Sequence, residues 1–262
     1  MHESMFPRRS RVAHRVLWLR LFSALLILSL LLLPAEVSAA QQKPYFTLTI
    51  LHNNDGESKL INAPGQPNFG GVARFATLVD NLRAEAVLND RKSASIMLSS
   101  GDNFLAGPEF NASLIKGPPF YDTIAMRLIG YDAAAIGNHE FDFGPDVLAD
   151  FIEGLNSAFP FVSANLNFSA EPSLQSLVNQ GDIVKSYVIK KEGQLIGVVG
   201  ATTPLLPAIS SPRNVTVDPN VARAIQAEVD KLTAKKIKII IVISHLQNVN
   251  EDLALAPLLR GV

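Results

Sequence analysis

Four short apolar runs in this chain each lead into a residue able to ligate a divalent cation. Residues 45–52 run into Asp55, residues 95–98 into Asp102, residues 132–136 into Asn138 and His139, and residues 237–243 into His245. The runs are rich in β-formers and alternate with segments of helical periodicity, the pattern of buried strands separated by helices. Val72, Phe75, Ala76, Val79, Leu82 and Ala86 form the apolar stripe of a helix from Gly70-Gly71 to about Leu88. Further helices are expected at residues 121–129, 145–155 and 221–234, and a last one begins near Asn250. Residues 161–165 read as one more strand. Residues 183–200 read as a hairpin turning at Lys191-Glu192-Gly193-Gln194. Gly107-Pro108 and Gly117-Pro118-Pro119 mark the stretch between residues 107 and 119 as loop. The alternation implies an α/β domain, in which the carboxyl ends of strands face one crevice and sites are built there.

The densest of these strand ends is Gly137-Asn138-His139-Glu140-Phe141-Asp142. An amide, an imidazole and two carboxylates beside a core are costly unless metal or substrate chemistry uses them. The plain alternative is a polar loop capping the helix that starts near Gly144-Pro145-Asp146. Asp55-Gly56 and Gly101-Asp102-Asn103 likewise have a plain reading as turns. Converging together, however, the carboxylates would repel and be poorly solvated without a cation. A divalent metal site resolves that conflict. One carboxylate bridging two metals is a common way to hold an attacking hydroxide and a phosphoryl oxygen together.

Composition narrows the setting. Arg8, Arg9, Arg11, Arg15 and Arg20 precede an apolar run over residues 21–33, then Pro34 and the small residues Val37-Ser38-Ala39-Ala40. This is the pattern of a secretory signal peptide over residues 1–40, cut after Ala39 or Ala40. The remaining residues 41–262 suffice for one large domain with a sizeable core. Export to a periplasmic, cell-surface or secreted location is expected, with membrane contact only through the signal segment if it stays uncleaved. The mature part holds 18 basic and 22 acidic residues, a net charge of −4 with no basic run, which argues against nucleic acid as a partner. The chain has no cysteine, so thiolate ligands, a Cys nucleophile and disulfides are excluded. Its mature histidines are His52, His139 and His245.

The stretches Ile50-Leu51-His52-Asn53-Asn54-Asp55, Gly70-Gly71-Val72-Ala73-Arg74, Ser99-Ser100-Gly101-Asp102, the Gly137–Asp142 block and Ser244-His245 resemble, in order, the 5′-nucleotidase branch of the calcineurin-like metallophosphoesterases. The resemblance implies a four-layer αββα sandwich, two mixed sheets between helices, with two divalent metal ions. It implies that Asp55 binds the first ion, that Asp102 bridges both, and that Asn138 and His245 bind the second. His139 matches the imidazole that donates to the phosphoryl group and assists the leaving oxygen, and Asp142 the carboxylate that orients it. Such an imidazolium, held by a carboxylate, can stabilise transition-state charge while metal-bound hydroxide attacks in line. The implied substrates are small phosphomonoesters, above all nucleoside 5′-phosphates. His52 lies in a matched block but reads as structural. Arg74 reads as helix surface, with a site-facing role as the alternative.

Two departures from the family pattern stand out. Where the family usually has Asp-x-His, this chain has Asp55-Gly56-Glu57; ligation by Glu57 would harden the first site and favour Mn²⁺, Fe²⁺, Mg²⁺ or Ca²⁺ over a pure Zn²⁺ preference. The family's last metal motif, a Gly-His-x-His-like block, and its second domain are expected after Val262, so the catalytic domain reads as incomplete at its C-terminus, with its last strands missing. Two other readings follow: a non-catalytic exported metal-binding remnant of the same fold, and a thiosulfate-ester hydrolase of the same superfamily.

Overall fold

The computed structural model describes residues 46–88 and 92–262. The expected signal segment lies outside the described residues. Residues 45–262 form one compact unit.

Two sheets stack face to face. The first is built from β1 (Thr47–Asn53), β2 (Ser93–Ser99), β3 (Ala133–Ala135), β4 (Phe161–Val162) and β6 (Ile183–Val184), in the order β1-β2-β3-β4-β6. All its pairings are parallel, where two mixed sheets are implied by the resemblance. Each crossover carries a helix, and such crossovers return the chain in the same direction. The second sheet has the order β10-β8-β7, with β7 (Ser186–Lys191), β8 (Gln194–Thr202) and β10 (Ile239–His245). Here β7 and β8 pair antiparallel while β8 and β10 pair parallel.

Burial follows the alternation of the strands. Ile96 and Leu98 of β2 meet Ile196 and Val198 of β8 between the sheets. Met97, on the opposite face of β2, joins the core under the helices α1 (Val72–Val87), α3 (Tyr121–Ile129) and α4 (Pro145–Gly154). Val199 and Ala201 of β8 pack outward against α7 (Val221–Ala234). The result is helices, sheet, sheet, helices: the expected four layers. Phenylalanines stiffen the first helical layer, with Phe104 stacked on Phe110 at 4.2 Å and Phe110 edge-on to Phe120 at 5.2 Å. Phe104 follows Asp102 by two residues, so this stack lies directly under one of the strand-end loops. Among the described residues, no helix is long and apolar enough to cross a membrane.

Several boundaries differ from the sequence pattern. Pro108–Lys116 is a helix, α2, and Pro172–Gln180 another, α5. Both begin with Pro in the first turn and end at a glycine of positive φ, Gly117 and Gly181, so at α2 the residues that read as loop are the helix's own start and stop. Residues 161–165 give only the two-residue β4; the chain then leaves to form β5 (Leu166–Asn167), paired antiparallel with β9 (Thr216–Val217). The hairpin is β7–β8, turning at Glu192-Gly193, both at positive φ, while β6 belongs to the other sheet.

At Gly200 the backbone of β8 lies close against the chain at Val162 of the first sheet. A Cβ there would stand 2.0 Å from the Val162 carbonyl oxygen. Gly200→Ala should therefore cost about 3 kcal/mol or more by overpacking. Gly193→Ala, at a turn with open space and φ +76°, should cost about 1 kcal/mol through backbone strain alone. Urea unfolding of the two variants checks the order; equal costs would show that the sheets can part.

Candidate metal centre and active site

The loops after β1 and β2 run side by side. The Asp55 N–H donates to the Gly101 carbonyl at 3.0 Å, and the Glu57 N–H to the Asp102 carbonyl at 3.0 Å. Asp55, Glu57, Ser58 and Asp102 all sit at positive φ. That conformation costs non-glycine residues about 1 kcal/mol each and gathers at functional loops. Gly137 then lets the third loop close on the second: a Cβ there would lie 2.2 Å from Asp102 Oδ1. Asp102 Oδ1 fills that space and accepts from the His139 N–H at 2.8 Å.

Glu140 ties these loops together. It is fully buried, and its carboxylate accepts from the Asp102 N–H at 2.9 Å, the Gly137 N–H at 2.7 Å, the Asn103 N–H at 2.7 Å and Asn103 Nδ2 at 2.9 Å. Burial and the Asp102 charge push the Glu140 carboxyl up to about 7, against the N–H bonds and the His245 charge. All four partners are donors, so a carboxylic-acid proton would find no acceptor among them. The geometry is that of a carboxylate.

His245, at the end of β10, reaches across from the second sheet. Its Nδ1 bonds the Ser100 carbonyl at 2.8 Å, so Nδ1 carries a proton. Its Nε2 faces Asp102 Oδ2 at 3.0 Å and Asn138 Oδ1 at 3.2 Å. A backbone carbonyl fixing one ring nitrogen, with the other turned to oxygen ligands, is the usual arrangement of a metal-binding histidine. Burial alone would lower the His245 pKa; the hydrogen bond and charge of Asp102 and the charge of Glu140 outweigh it and raise it to about 9.

Ligand atoms of Asp55, Asp102 and His245 lie within 4.8 Å of one another, and Asn138 Oδ1 adjoins His245. Three oxygen donors with one imidazole nitrogen, two of the oxygens anionic, fit a divalent cation. Across the cluster, His139 Nδ1 bonds Asp142 Oδ2 at 2.7 Å, and His139 Nε2 stands 4.0 Å from Asp102 Oδ2. Burial lowers the His139 pKa, but the Asp142 hydrogen bond and the charges of Asp102, Asp142 and Glu140 prevail and raise it. A cavity of about 680 Å³ opens over this group, lined by Asp55, Asp102, Asn138, His139 and His245.

Glu57 is not brought into the cluster. Its backbone is tied to Asp102, but its carboxylate neither joins the close-set ligand atoms nor lines the cavity. Arg74 is occupied elsewhere, bonding Asn62 Oδ1 at 2.6 Å and the Gly70 and Pro67 carbonyls at 3.0 and 2.7 Å, so it clamps the loop before α1. His52 lines the cavity and bonds Ser100 Oγ at 2.7 Å, next to the carbonyl that holds His245. Glu140 and Ser100 are the residues that sequence reasoning underrates. Glu140 is visible along the chain only as part of a dense motif, and Ser100 carries no signal beyond its place at a strand end.

No family model matches the chain. The 5′-nucleotidase of Diplobatis ommata is 36% identical over 224 residues, 83% of this chain and 36% of that protein. The trifunctional nucleotide phosphoesterase YfkN of Bacillus subtilis is 32% identical over 247 residues, 82% of this chain and 15% of its own length. The crystal structure of a 5′-nucleotidase precursor from Thermus thermophilus superposes with a TM-score of 0.69 at 36% identity, over 83% of this chain and 40% of that one. The chain belongs to the 5′-nucleotidase family of calcineurin-like metallophosphoesterases. It spans about a third of the length of the 5′-nucleotidase relatives that it matches.

The His245–Asp102 pair carries a pH dependence of defined sign. A folded pKa of about 9 against 6.5 unfolded gives stability that is complete below about pH 6.5 and lost as the pH rises through 9. At about 1.4 kcal/mol per unit, the wild-type chain in a chelator should lose up to about 3 kcal/mol across that window relative to His245→Gln. Urea unfolding at the two ends of the window measures it; parallel profiles would show that the ion pair does not form.

Proposed function

We propose that the chain carries the catalytic machinery of an exported hydrolase of small phosphomonoesters, nucleoside 5′-phosphates foremost, working with two divalent cations. The observation that carries this reading is the facing of two groups across one cavity. On one side stand Asp55, Asp102, Asn138 and His245; on the other stands the hydrogen-bonded His139–Asp142 pair. Asp55 would hold the first ion, Asp102 would stand between both, and Asn138 with His245 would hold the second; Glu57 is left out of the set. Bound cations supply positive charge for phosphoryl oxygens and acidify water.

The chain's own residues do the rest. Ser100 keeps the His245 proton on Nδ1, so Nε2 stays available as a ligand. The His139 N–H fixes one Asp102 oxygen, which leaves Oδ2 directed at the ligand group. His139, charged through Asp142, would donate from Nε2 to the phosphoryl group and to the leaving oxygen, and Asp142 would compensate the imidazolium. The signal-like residues 1–40 support export, and the small cavity together with net acidity supports a small-molecule partner rather than nucleic acid.

The test is turnover of a nucleoside 5′-phosphate by the full chain with Mn²⁺, with thiosulfate esters in the same substrate panel. His139→Ala should lower kcat by about a hundredfold or more, with Mn²⁺ affinity by calorimetry unchanged. An unchanged kcat removes His139 from the chemistry. Tight Mn²⁺ binding without turnover by the wild type would instead support a metal-binding remnant.

A further inference from the structure

We propose that Ser210 is a positioning residue for the His139–Asp142 pair, acting by locking the plane of the Asp142 carboxylate. This rests on the pair's role under Proposed function. The carboxylate accepts three hydrogen bonds. Oδ2 takes two, from His139 Nδ1 at 2.7 Å and from the Ala106 N–H at 2.9 Å; Oδ1 takes one, from Ser210 Oγ at 3.0 Å. Two donors on Oδ2 fix only one edge of the group, and each can lengthen as the carboxylate tilts. A donor on the other oxygen sets the plane, and with it the direction in which an Oδ2 lone pair meets Nδ1.

Ser210 is itself held rigidly. It follows the short helix α6 (Leu206–Ile209), and its N–H bonds the carbonyl of Leu206, a fully buried core residue. The segment from the end of β8 to Ser210 grips the Gly137–Asp142 block at both ends. Thr202 Oγ1 bonds the Ile136 carbonyl at 2.6 Å before the block, and Ser210 bonds Asp142 at its close. The Ser210 hydroxyl makes no other hydrogen bond among the described residues, so its hydrogen-bond partner there is the carboxylate that orients His139. A donor to a leaving oxygen is sensitive to placement on the sub-ångström scale. The inference therefore concerns kcat with poor leaving groups, where protonation is needed, and not substrate binding.

The experiment compares wild type, Ser210→Ala, Ser210→Thr and Asp142→Asn, each as the full chain with Mg²⁺. One readout is the low-field Nδ1–H proton resonance of His139, assigned by its loss in His139→Gln. The other is kcat and KM for a nucleoside 5′-phosphate and for p-nitrophenyl phosphate, whose leaving group departs without a proton. Ser210→Ala should broaden or shift the resonance upfield and lower kcat for the nucleotide about tenfold, with a clearly smaller fall in kcat for p-nitrophenyl phosphate, which keeps only the phosphoryl contact of His139, and both KM values nearly unchanged. Ser210→Thr, which keeps the donor, should restore both readouts. A resonance unchanged in position and width in Ser210→Ala, or an equal fall in kcat on both substrates, overturns the inference. Without turnover in the wild type, the resonance alone decides. If Asp142→Asn abolishes the resonance and Ser210→Ala leaves its position and width unchanged, only the Ser210 inference fails. If the wild type lacks the resonance, or Asp142→Asn leaves it in place, the pair itself is absent and the reading under Proposed function falls with it.

Discussion

The Glu140 carboxylate is fully buried and hydrogen-bonds the backbone at Asp102, Asn103 and Gly137 together with the Asn103 amide. Taking a carboxylate out of water costs several kcal/mol unless its oxygens are satisfied. Here four N–H donors do so, and they come from two loops, one of them 37 and 38 residues back along the chain. One buried charge thus closes the two loops that carry Asp102 and Asn138 against each other. It also adds negative potential behind Asp102, which is part of why both His139 and His245 have raised pKa values. The site is acidic by construction before any cation enters it, and the same interaction that fixes its shape fixes its sign.

The rest of the architecture serves to bring a second sheet to this point. His245 comes from β10 and Ser210 from the segment after β8, while Asp55, Asp102 and Asn138 come from the first sheet. The close approach at Gly200 and the apolar layer of Ile96, Leu98, Ile196 and Val198 decide the spacing between the sheets. A side chain in place of the Gly200 hydrogen would move β8, and with it both of its neighbours in the argument: β10 by pairing and the 202–210 segment by continuity. Stability and site geometry are therefore not separable here. A packing change at 200 acts on the distance between His245 and Asp102.

What can be read from the chain alone is whatever is local. The strand-end runs, the Gly137–Asp142 block and the amphipathic stripe of α1 depend on residue type and short-range periodicity, and they place the fold and most of the candidate ligands. Glu57 stands outside the close-set ligand atoms because the positions of its backbone and side chain depend on four residues at positive φ in neighbouring loops, which spacing does not reveal. The helix α2 is hidden because Pro and Gly signal both loop and helix end, and the packing of Phe110 decides between them. Glu140 and Ser210 act through partners up to 38 and 68 residues away. Their hydrogen bonds appear only when loops meet, so no pattern along the chain shows them.

The Asp102–His245 contact gives the site a second use for the same geometry. With Nδ1 bound to Ser100 and Nε2 at 3.0 Å from Asp102 Oδ2, the proton between ring and carboxylate lies among the donor atoms that a divalent cation would need. The imidazolium compensates the charge of the acidic cluster, so the loops need not spread apart to relieve repulsion. Ligation requires the same ring orientation, hence little rearrangement, but it does require that the Nε2 proton leave. Preorganisation and pH dependence are then two consequences of one contact. A weaker His245–Asp102 pair would release its proton more readily and hold the loops together less well.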